Sequence, residues 1–172
     1  MTVVDAEFEE FVRVRTPALL RTAYLLTGDQ HAAEDLVQAA LERTAARWRR
    51  IDRSGGPEAY VRTVMYRLQV DRWRRRRRVV EAVTDAPPET AGGDDYRAAD
   101  LRLALRTALA RLTPKQRAVL VLRFYDDLGE ARTAEVLGCA PGTVKSQTSL
   151  ALRRLRESSP ELADLLTEGA LA

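Results

Sequence analysis

The strip EAVTDAPPETAGGDDYRAAD, at residues 81–100, most constrains how this chain folds. It contains Pro87-Pro88 and Gly92-Gly93, six acidic residues and one basic residue, and little periodic apolar sequence. Adjacent prolines and glycines end regular elements, and a stretch with few apolar side chains cannot build a core, so this composition is typical of a linker. The strip therefore divides the 172 residues into two modules, each long enough for one small core.

Apolar residues recur at spacings of three and four on both sides of the strip, and no segment alternates apolar and polar residues as a strand does. The sequence predicts an all-α fold, made of two small helical domains joined by an acidic flexible linker. We place the domains at residues 1–79 and 100–172, and the linker at residues 80–99.

Turn signals divide each domain into shorter helices. In the first domain, Thr16-Pro17 predicts a cap followed by a first-turn proline, and Pro57 begins another helix after the break DRSGGPE. In the second domain, Leu101 marks the first apolar stripe, and Pro114 begins a helix that we expect to reach Tyr125.

The two modules are basic and the strip between them is acidic. Residues 1–80 carry 16 basic and 11 acidic side chains, residues 81–100 carry one and six, and residues 101–172 carry 11 and eight. This pattern favours a polyanionic partner for the modules and repels the strip from it. The densest basic run, DRWRRRRR at residues 71–78, covers every side of a helix, so only part of it can face one DNA duplex.

Composition excludes several classes of protein. No apolar run is long enough to span a bilayer, and the first residues, MTVVDAEFEEF, lack the apolar core of a signal peptide, so we expect a cytoplasmic protein without membrane insertion. The chain has one cysteine, Cys139, and one histidine, His31, which leaves neither an internal disulfide nor a zinc cluster. We expect no metal site and no cofactor.

The segment EARTAEVLGCAPGTVKSQTSLALRRLRE has the pattern of a helix-turn-helix, whose second helix enters the DNA major groove. Gly138 allows the left-handed backbone of the turn. The candidate DNA contacts are the polar residues on the early and outer part of the second helix: Thr143, Lys145, Ser146, Gln147, Ser149 and Arg153. Lys145 and Arg153 suit phosphates, and Gln147 suits adenine. We place Leu150 in the core, and its alternative is a contact with a thymine methyl. The alternative to the whole motif is an ordinary helical hairpin.

The stretch LTPKQRAVLVLRFYDDLGEARTAEVLGCAPGTVKSQTSLALRRLRE resembles region 4 of bacterial extracytoplasmic-function sigma factors, especially the SigE-like subgroup of actinobacterial type. It is also similar to the DNA-binding domain of LuxR-type response regulators. The first module separates the two families, because AAEDLVQAALERTAARW resembles sigma regions 2.1 to 2.2 and PEAYVRTVMYRLQVDRWRRRRR resembles regions 2.3 and 2.4. A response regulator would need a phosphoacceptor domain of alternating strands and helices, which this sequence does not predict.

The resemblance implies a helix in the first module that docks on the clamp helices of the RNA polymerase β′ subunit. The expected contacts are Glu34, Asp35, Gln38 and Glu42. Ala39 and Leu41 stand where the family usually has glutamate and phenylalanine, and the two glutamates of the set are expected to supply the missing acidity. The alternative is that Glu34 and Asp35 stabilise a helix N-terminus through the macrodipole.

The resemblance also implies that the helix from Pro57 melts and reads the −10 promoter element, while region 4 reads the −35 element. The expected −10 contacts are Arg62, Tyr66, Arg67, Arg72, Trp73, Arg74, Arg75 and Arg76. Tyr66 and Trp73 share an apolar face on which bases would stack, with packing into a small core as the alternative. Arg67 occupies the family's base-reading position, where asparagine is common. The loop RRIDRSGGP corresponds to the one that shapes the pocket for a flipped base.

The implied function is a dissociable, non-catalytic specificity subunit of RNA polymerase that directs promoter recognition, DNA melting and initiation. Its implied partners are core polymerase, through the β′ clamp helices and the β flap, promoter DNA and an anti-sigma factor. A free helix-turn-helix regulator of LuxR-like type, which needs only residues 113–157, is a second hypothesis. A nuclease that holds Mg²⁺ with Asp94-Asp95 or Glu34-Asp35 is a third, disfavoured because adjacent carboxylates seldom converge on one metal.

Overall fold

The structure, a computed structural model, describes residues 3–51, 56–79, 96–160 and 162. In chain order these residues form α1 (Val3–Thr27), α2 (Gln30–Ala45), a 3₁₀ turn (Trp48–Arg50), α3 (Pro57–Val79), α4 (Tyr96–Ala110), α5 (Pro114–Leu120), a π-helical turn (Val121–Tyr125), α6 (Glu130–Leu137) and α7 (Pro141–Ser158). No strand occurs in these ranges, and the all-α fold class is confirmed. None of the helices in the described ranges combines the length and apolar composition needed to cross a bilayer.

The chain divides into two compact units, Met1–Val79 and Val80–Ala172. Residues 80–95, most of the predicted linker, lie outside the described residues. The remaining linker residues, 96–99, belong to α4, which begins at Tyr96 and therefore earlier than the apolar stripe predicted. The alanines and the arginine of residues 96–99 have high helix propensity, although the acidic strip that contains them has the composition of a linker. The domain boundaries remain a prediction.

Pro17 lies inside α1, so the helix start predicted at Thr16-Pro17 is wrong. An interior proline removes one backbone hydrogen bond and costs about 3 kcal/mol relative to alanine. The helix continues because Leu19 and Ala23, which follow the proline, are fully buried, and because α1 packs along α2. The hydroxyl of Thr16 is not a cap and instead donates to the carbonyl oxygen of Val12 at 2.6 Å.

The first unit is a bundle in which α2 contacts both α1 and α3. Asp29 caps α2 by accepting a hydrogen bond from the backbone N–H of Ala32 at 2.8 Å. Trp48, from the 3₁₀ turn, is buried, and its ring centroid lies 5.0 Å from that of Phe8 and 5.1 Å from that of Phe11. The core contains Leu19, Leu26, Leu36, Val37, Ala40, Val61, Met65, Tyr66 and Leu68.

The second unit is organised around α7, which contacts α4, α5 and α6. Thr113 and Gln116 form a capping box at the start of α5, with bonds of 3.3 and 3.2 Å between the side chain of one and the backbone N–H of the other. The side-chain oxygen of the buried Gln116 also accepts from Nη1 of Arg154 at 2.9 Å. This single amide therefore joins the cap of α5 to α7.

The helix predicted from Pro114 to Tyr125 is present but changes its hydrogen bonding part-way. It is α-helical to Leu120 and π-helical from Val121, where the N–H of Asp126 donates to the Val121 carbonyl at 2.9 Å. Arg117, on α5, donates from Nε to the carbonyl oxygen of Leu109 at 3.0 Å, and burial lowers the pKa of its guanidinium.

Candidate nucleic-acid interface

The turn between α6 and α7 has the backbone that the helix-turn-helix pattern predicts. Gly138 follows α6 with φ 62° and ψ 45°, a left-handed conformation that glycine adopts without a Cβ clash. The next N–H, of Cys139, donates to the carbonyl oxygen of Ala134 at 3.0 Å. Pro141 then begins α7 at the first helical position, where its missing N–H costs no helical hydrogen bond. The predicted turn and helix start are confirmed.

The apolar residues expected between α6 and α7 are buried. They are Ala134, Val136, Leu137, Val144 and Leu155. All six predicted −35 contacts lie outside this core: Lys145, Ser146, Ser149 and Arg153 are exposed, and Thr143 and Gln147 are partly exposed. Leu150 is also partly exposed and does not belong to the buried core, so its predicted core placement is not confirmed. An apolar residue on a helix is assigned to the core by default, and only the packing of neighbouring helices shows otherwise.

The serine hydroxyls on the outer side of α7 are held by the helix itself. Oγ of Ser146 donates to the carbonyl oxygen of Thr143 at 3.0 Å, and Oγ of Ser149 donates to that of Lys145 at 3.1 Å. Each hydroxyl keeps acceptor lone pairs for an incoming donor such as a base amino group. The outer surface of α7 therefore combines two small acceptors with the cations Lys145 and Arg153.

On α3, the predicted −10 contacts separate into exposed and packed residues. Arg67, Arg74, Arg75 and Arg76 are exposed. Arg72 and Trp73 are partly exposed, and Nη2 of Arg72 reaches the carbonyl oxygen of Asp35 on α2 at 3.4 Å. The exposed guanidinium groups extend from the middle of α3 towards its end and spread around the helix, with Arg74 and Arg76 about 200° apart.

Tyr66 and Arg62 are not among these exposed residues. Tyr66 is 1% exposed, which agrees with the core-packing alternative, and a base cannot stack on its ring in this conformation. Arg62 donates to Glu58 at 2.7 Å and to the hydroxyl of the buried Thr22 on α1 at 3.2 Å. Glu58 also lies 3.2 Å from Arg15 of α1. These bonds tie α3 to α1, and sequence reasoning missed Glu58 and Thr22 because their role depends on contacts across helices.

The predicted polymerase contacts share one exposed face of α2. They are Glu34, Asp35, Gln38 and Glu42. Nε2 of Gln38 donates to Glu42 at 3.1 Å, one turn further along the helix. The first turn of α2, which begins at Gln30, contains no acidic residue. The macrodipole alternative for Glu34 and Asp35 therefore loses its basis, since the effect of the helix dipole on side chains falls off within the first turn.

Two other predictions fall wholly or partly on residues outside the described part of the chain. The loop RRIDRSGGP includes residues 52–55, and the nuclease hypothesis used Asp94-Asp95; neither set is described. Among the residues that are described, no three histidine, cysteine, aspartate or glutamate side chains are grouped as metal ligands would be.

Comparison with known proteins gives matches in both units. The family Sigma-70 region 2 matches residues 11–79, and the family Sigma-70, region 4 matches residues 102–155. The chain is 43% identical over 151 residues to the RNA polymerase sigma-E factor of Streptomyces coelicolor, which covers 88% of this chain and 85% of the relative. The chain belongs to the extracytoplasmic-function sigma factors. The recognition and the general function inferred from the sequence are thus confirmed.

Two further relatives extend this comparison. The sigma factor is 38% identical over 148 residues to the ECF RNA polymerase sigma factor SigL of Mycobacterium tuberculosis, covering 84% of each chain. It is also similar to the solved structure of the sigma factor RpoE in complex with the anti-sigma factor NepR from Bartonella quintana, with 26% identity and a TM-score of 0.65, over 90% of this chain and 98% of that one. A LuxR-like regulator is not favoured, because that hypothesis does not account for the match to region 2.

Proposed function

We propose that this sigma factor binds core RNA polymerase through the exposed face of α2 and brings it to promoters that α3 contacts at the −10 element and α7 at the −35 element. The observation that carries the proposal is the presence, in one chain, of a region 2 unit with an exposed acidic helix face and a region 4 unit with an exposed polar recognition helix. A duplex-binding regulator needs only the second of these.

The acidic face of α2 is the proposed docking surface for the β′ clamp helices. Asp35 and Gln38 match the family's motif, and Glu34 and Glu42 add negative charge one turn before and one turn after Gln38. All four side chains are exposed, so docking requires no rearrangement of the bundle core. Electrostatic attraction to a basic partner surface would speed association and set its orientation.

The exposed arginines of α3 are the proposed contacts to the −10 DNA. Arg67 stands at the family's base-reading position, and Arg74, Arg75 and Arg76 follow on the same helix. Arginines bound to phosphates release counterions, and this supplies affinity without choosing a sequence. Trp73, partly exposed, keeps the proposed role of a stacking platform for an unpaired base. Tyr66 and Arg62 are assigned instead to the packing of α3.

The outer side of α7 is the proposed −35 reader. Its exposed cations suit phosphates, while Gln147 and the serine hydroxyls suit base edges in the major groove. The second unit would also contact the β flap, as the family resemblance implies. An anti-sigma factor is a further proposed partner, supported by the complex in which the RpoE relative was solved. The factor itself would supply binding energy rather than catalysis, and would act in the cytoplasm beside the polymerase.

Purified protein added to core polymerase with genomic DNA fragments tests the proposal. We expect the protein to bind core polymerase and transcripts to start at discrete sites only when it is present. The control is core polymerase alone on the same fragments. Tight duplex binding by the protein without rescued initiation would contradict the proposal and favour a free regulator.

A further inference from the structure

Leu150 and Leu152 are the two leucines of α7 that are partly exposed, and Leu150 is the one that lies beside the polar DNA-contact candidates. The buried positions of this helix are Val144, Ala151 and Leu155, and Leu150 lies about 120° around the helix from Val144. Its side chain is partly exposed. A partly exposed leucine gains less free energy from burial than a core leucine does, so core packing explains only part of its presence here.

Leu150 belongs to the stripe of α7 that carries the polar DNA-contact candidates. Thr143, Ser146, Leu150 and Arg153 follow one another at spacings of three, four and three, which places them along one side of a helix. Ser146 and Arg153 on this stripe are exposed. Whatever surface these two residues face, Leu150 faces it with them.

The side of α7 that precedes Leu150 carries small residues, whereas Arg153 and Arg154 follow it one turn later. Gly142 and Ser149 are exposed beside the stripe, and a Cβ placed on Gly142 would meet no atom within 4 Å. The hydroxyls of Ser146 and Ser149 are bonded to the helix backbone and stay close to its surface. These small residues allow this part of the helix to approach a groove closely, with Leu150 as the apolar side chain on the same stripe.

The base edges in the major groove offer one apolar group, the C5-methyl of thymine. A leucine on the groove-facing stripe therefore has one favourable partner there, because packing against a polar base edge would desolvate that edge without a hydrogen bond. We infer that Leu150 is a specificity-determining residue, which selects a thymine in the −35 element by packing on its methyl group. This inference rests on the proposed role of α7 in reading that element.

The test uses holoenzyme made from the full-length chain and core polymerase, on a promoter found by mapping transcript starts. Each thymine of the −35 element is replaced singly by deoxyuridine, which removes only the C5-methyl group. Dissociation constants are measured at one fixed salt concentration, because protein–DNA affinity changes steeply with salt. We expect one thymine whose methyl loss weakens wild-type binding roughly four- to tenfold.

The variants Leu150→Ala and Leu150→Gln should lose this sensitivity, so that thymine and uracil bind equally at that position. Leu152→Ala is the matched control, since Leu152 is also partly exposed on α7 but points about 200° away from Leu150. It should keep the full methyl effect. The change of thymine to uracil and the change of Leu150 form a double-mutant cycle. The cycle cancels any effect of uracil on the duplex itself, because that effect is the same for wild type and variant.

The inference would be overturned by a −35 element without thymine, by methyl sensitivity that is absent from the wild type, or by sensitivity that survives in both Leu150 variants. Loss of cooperative unfolding in both variants would also overturn it, because it would return Leu150 to the core. Failure of the holoenzyme to initiate at all contradicts the proposed function instead. Normal initiation without methyl dependence contradicts only the role of Leu150.

Discussion

Arg62 and Arg67 lie five positions apart on α3 and have different surroundings. Arg62 donates from Nε and Nη2 to Glu58 and from Nη1 to Thr22, whereas Arg67 is exposed. A hydrogen-bonded guanidinium beside a buried hydroxyl stabilises packing between helices, while an exposed one is available to a ligand. At the scale of the residue, the role of an arginine follows from its contacts rather than from the charge of its helix.

Replacing Arg62 by alanine should lower the free energy of unfolding of the first unit by about 1–2 kcal/mol, because the bonds to Glu58 and Thr22 are lost. Both tryptophans, Trp48 and Trp73, lie in this unit, so urea unfolding followed by tryptophan fluorescence reports on it. The matched change Arg67→Ala should alter stability by less than about 0.5 kcal/mol. Equal effects of the two substitutions would show that Arg62 has no structural role.

Gly138 carries the turn of the helix-turn-helix, and Gly138→Ala should destabilise the second unit by about 1 kcal/mol because its φ of 62° is unfavourable for alanine. Thermal unfolding followed by far-ultraviolet circular dichroism measures the change. The control Gly142→Ala lies in the first turn of α7, with free space around its Cβ, and should not destabilise the protein. A neutral Gly138→Ala would mean that the turn does not need its left-handed residue.

At the scale of the element, α2 combines a buried side that holds the bundle with an exposed acidic side. Leu36, Val37 and Ala40 are buried between α1 and α3, while Asp35 and Gln38 alternate with them and face outward. The helical period of 3.6 residues separates the two sets. Changes on the outer side should therefore affect binding with little effect on folding.

The double substitution Asp35→Ala and Gln38→Ala should weaken binding to core polymerase by at least about tenfold, because interface energy concentrates in a few residues. Thermal unfolding of the variant should stay unchanged. Glu9→Ala, an exposed acidic residue on α1, serves as the control and should bind core polymerase normally. Wild-type affinity in the double variant would reject the assignment of this face.

The second half of α3 is dominated by positive charge. Arg75→Ala combined with Arg76→Ala should reduce the slope of log K against log salt for promoter binding by about one to two, without changing sequence preference. Arg13→Ala with Arg21→Ala removes the same charge from exposed positions on α1 and should leave the slope unchanged. A changed preference among promoter sequences would instead assign base reading to this arginine run.

At the scale of the whole molecule, turns and helix starts could be predicted from the sequence, whereas the burial of side chains between helices could not. Pro57, Gly138 and Pro141 define starts and turns by their own backbone preferences, and the structure has them where they were expected. The helix start predicted at Pro17 was wrong, because the packing of the residues that follow outweighs the local cost of a proline inside the helix. The alternatives for Tyr66 and Leu150 stayed open because a helical period separates faces without showing which face meets a neighbouring helix.

Transcription from one mapped promoter tests the central claim most directly. Core polymerase is assayed alone, with the wild-type chain, and with the Asp35→Ala, Gln38→Ala variant, each at the same concentration. The account predicts a discrete transcript with the wild-type chain, none with core alone, and a reduced yield with the variant that is restored at higher concentration. A start-site pattern that is the same with and without the chain would contradict it.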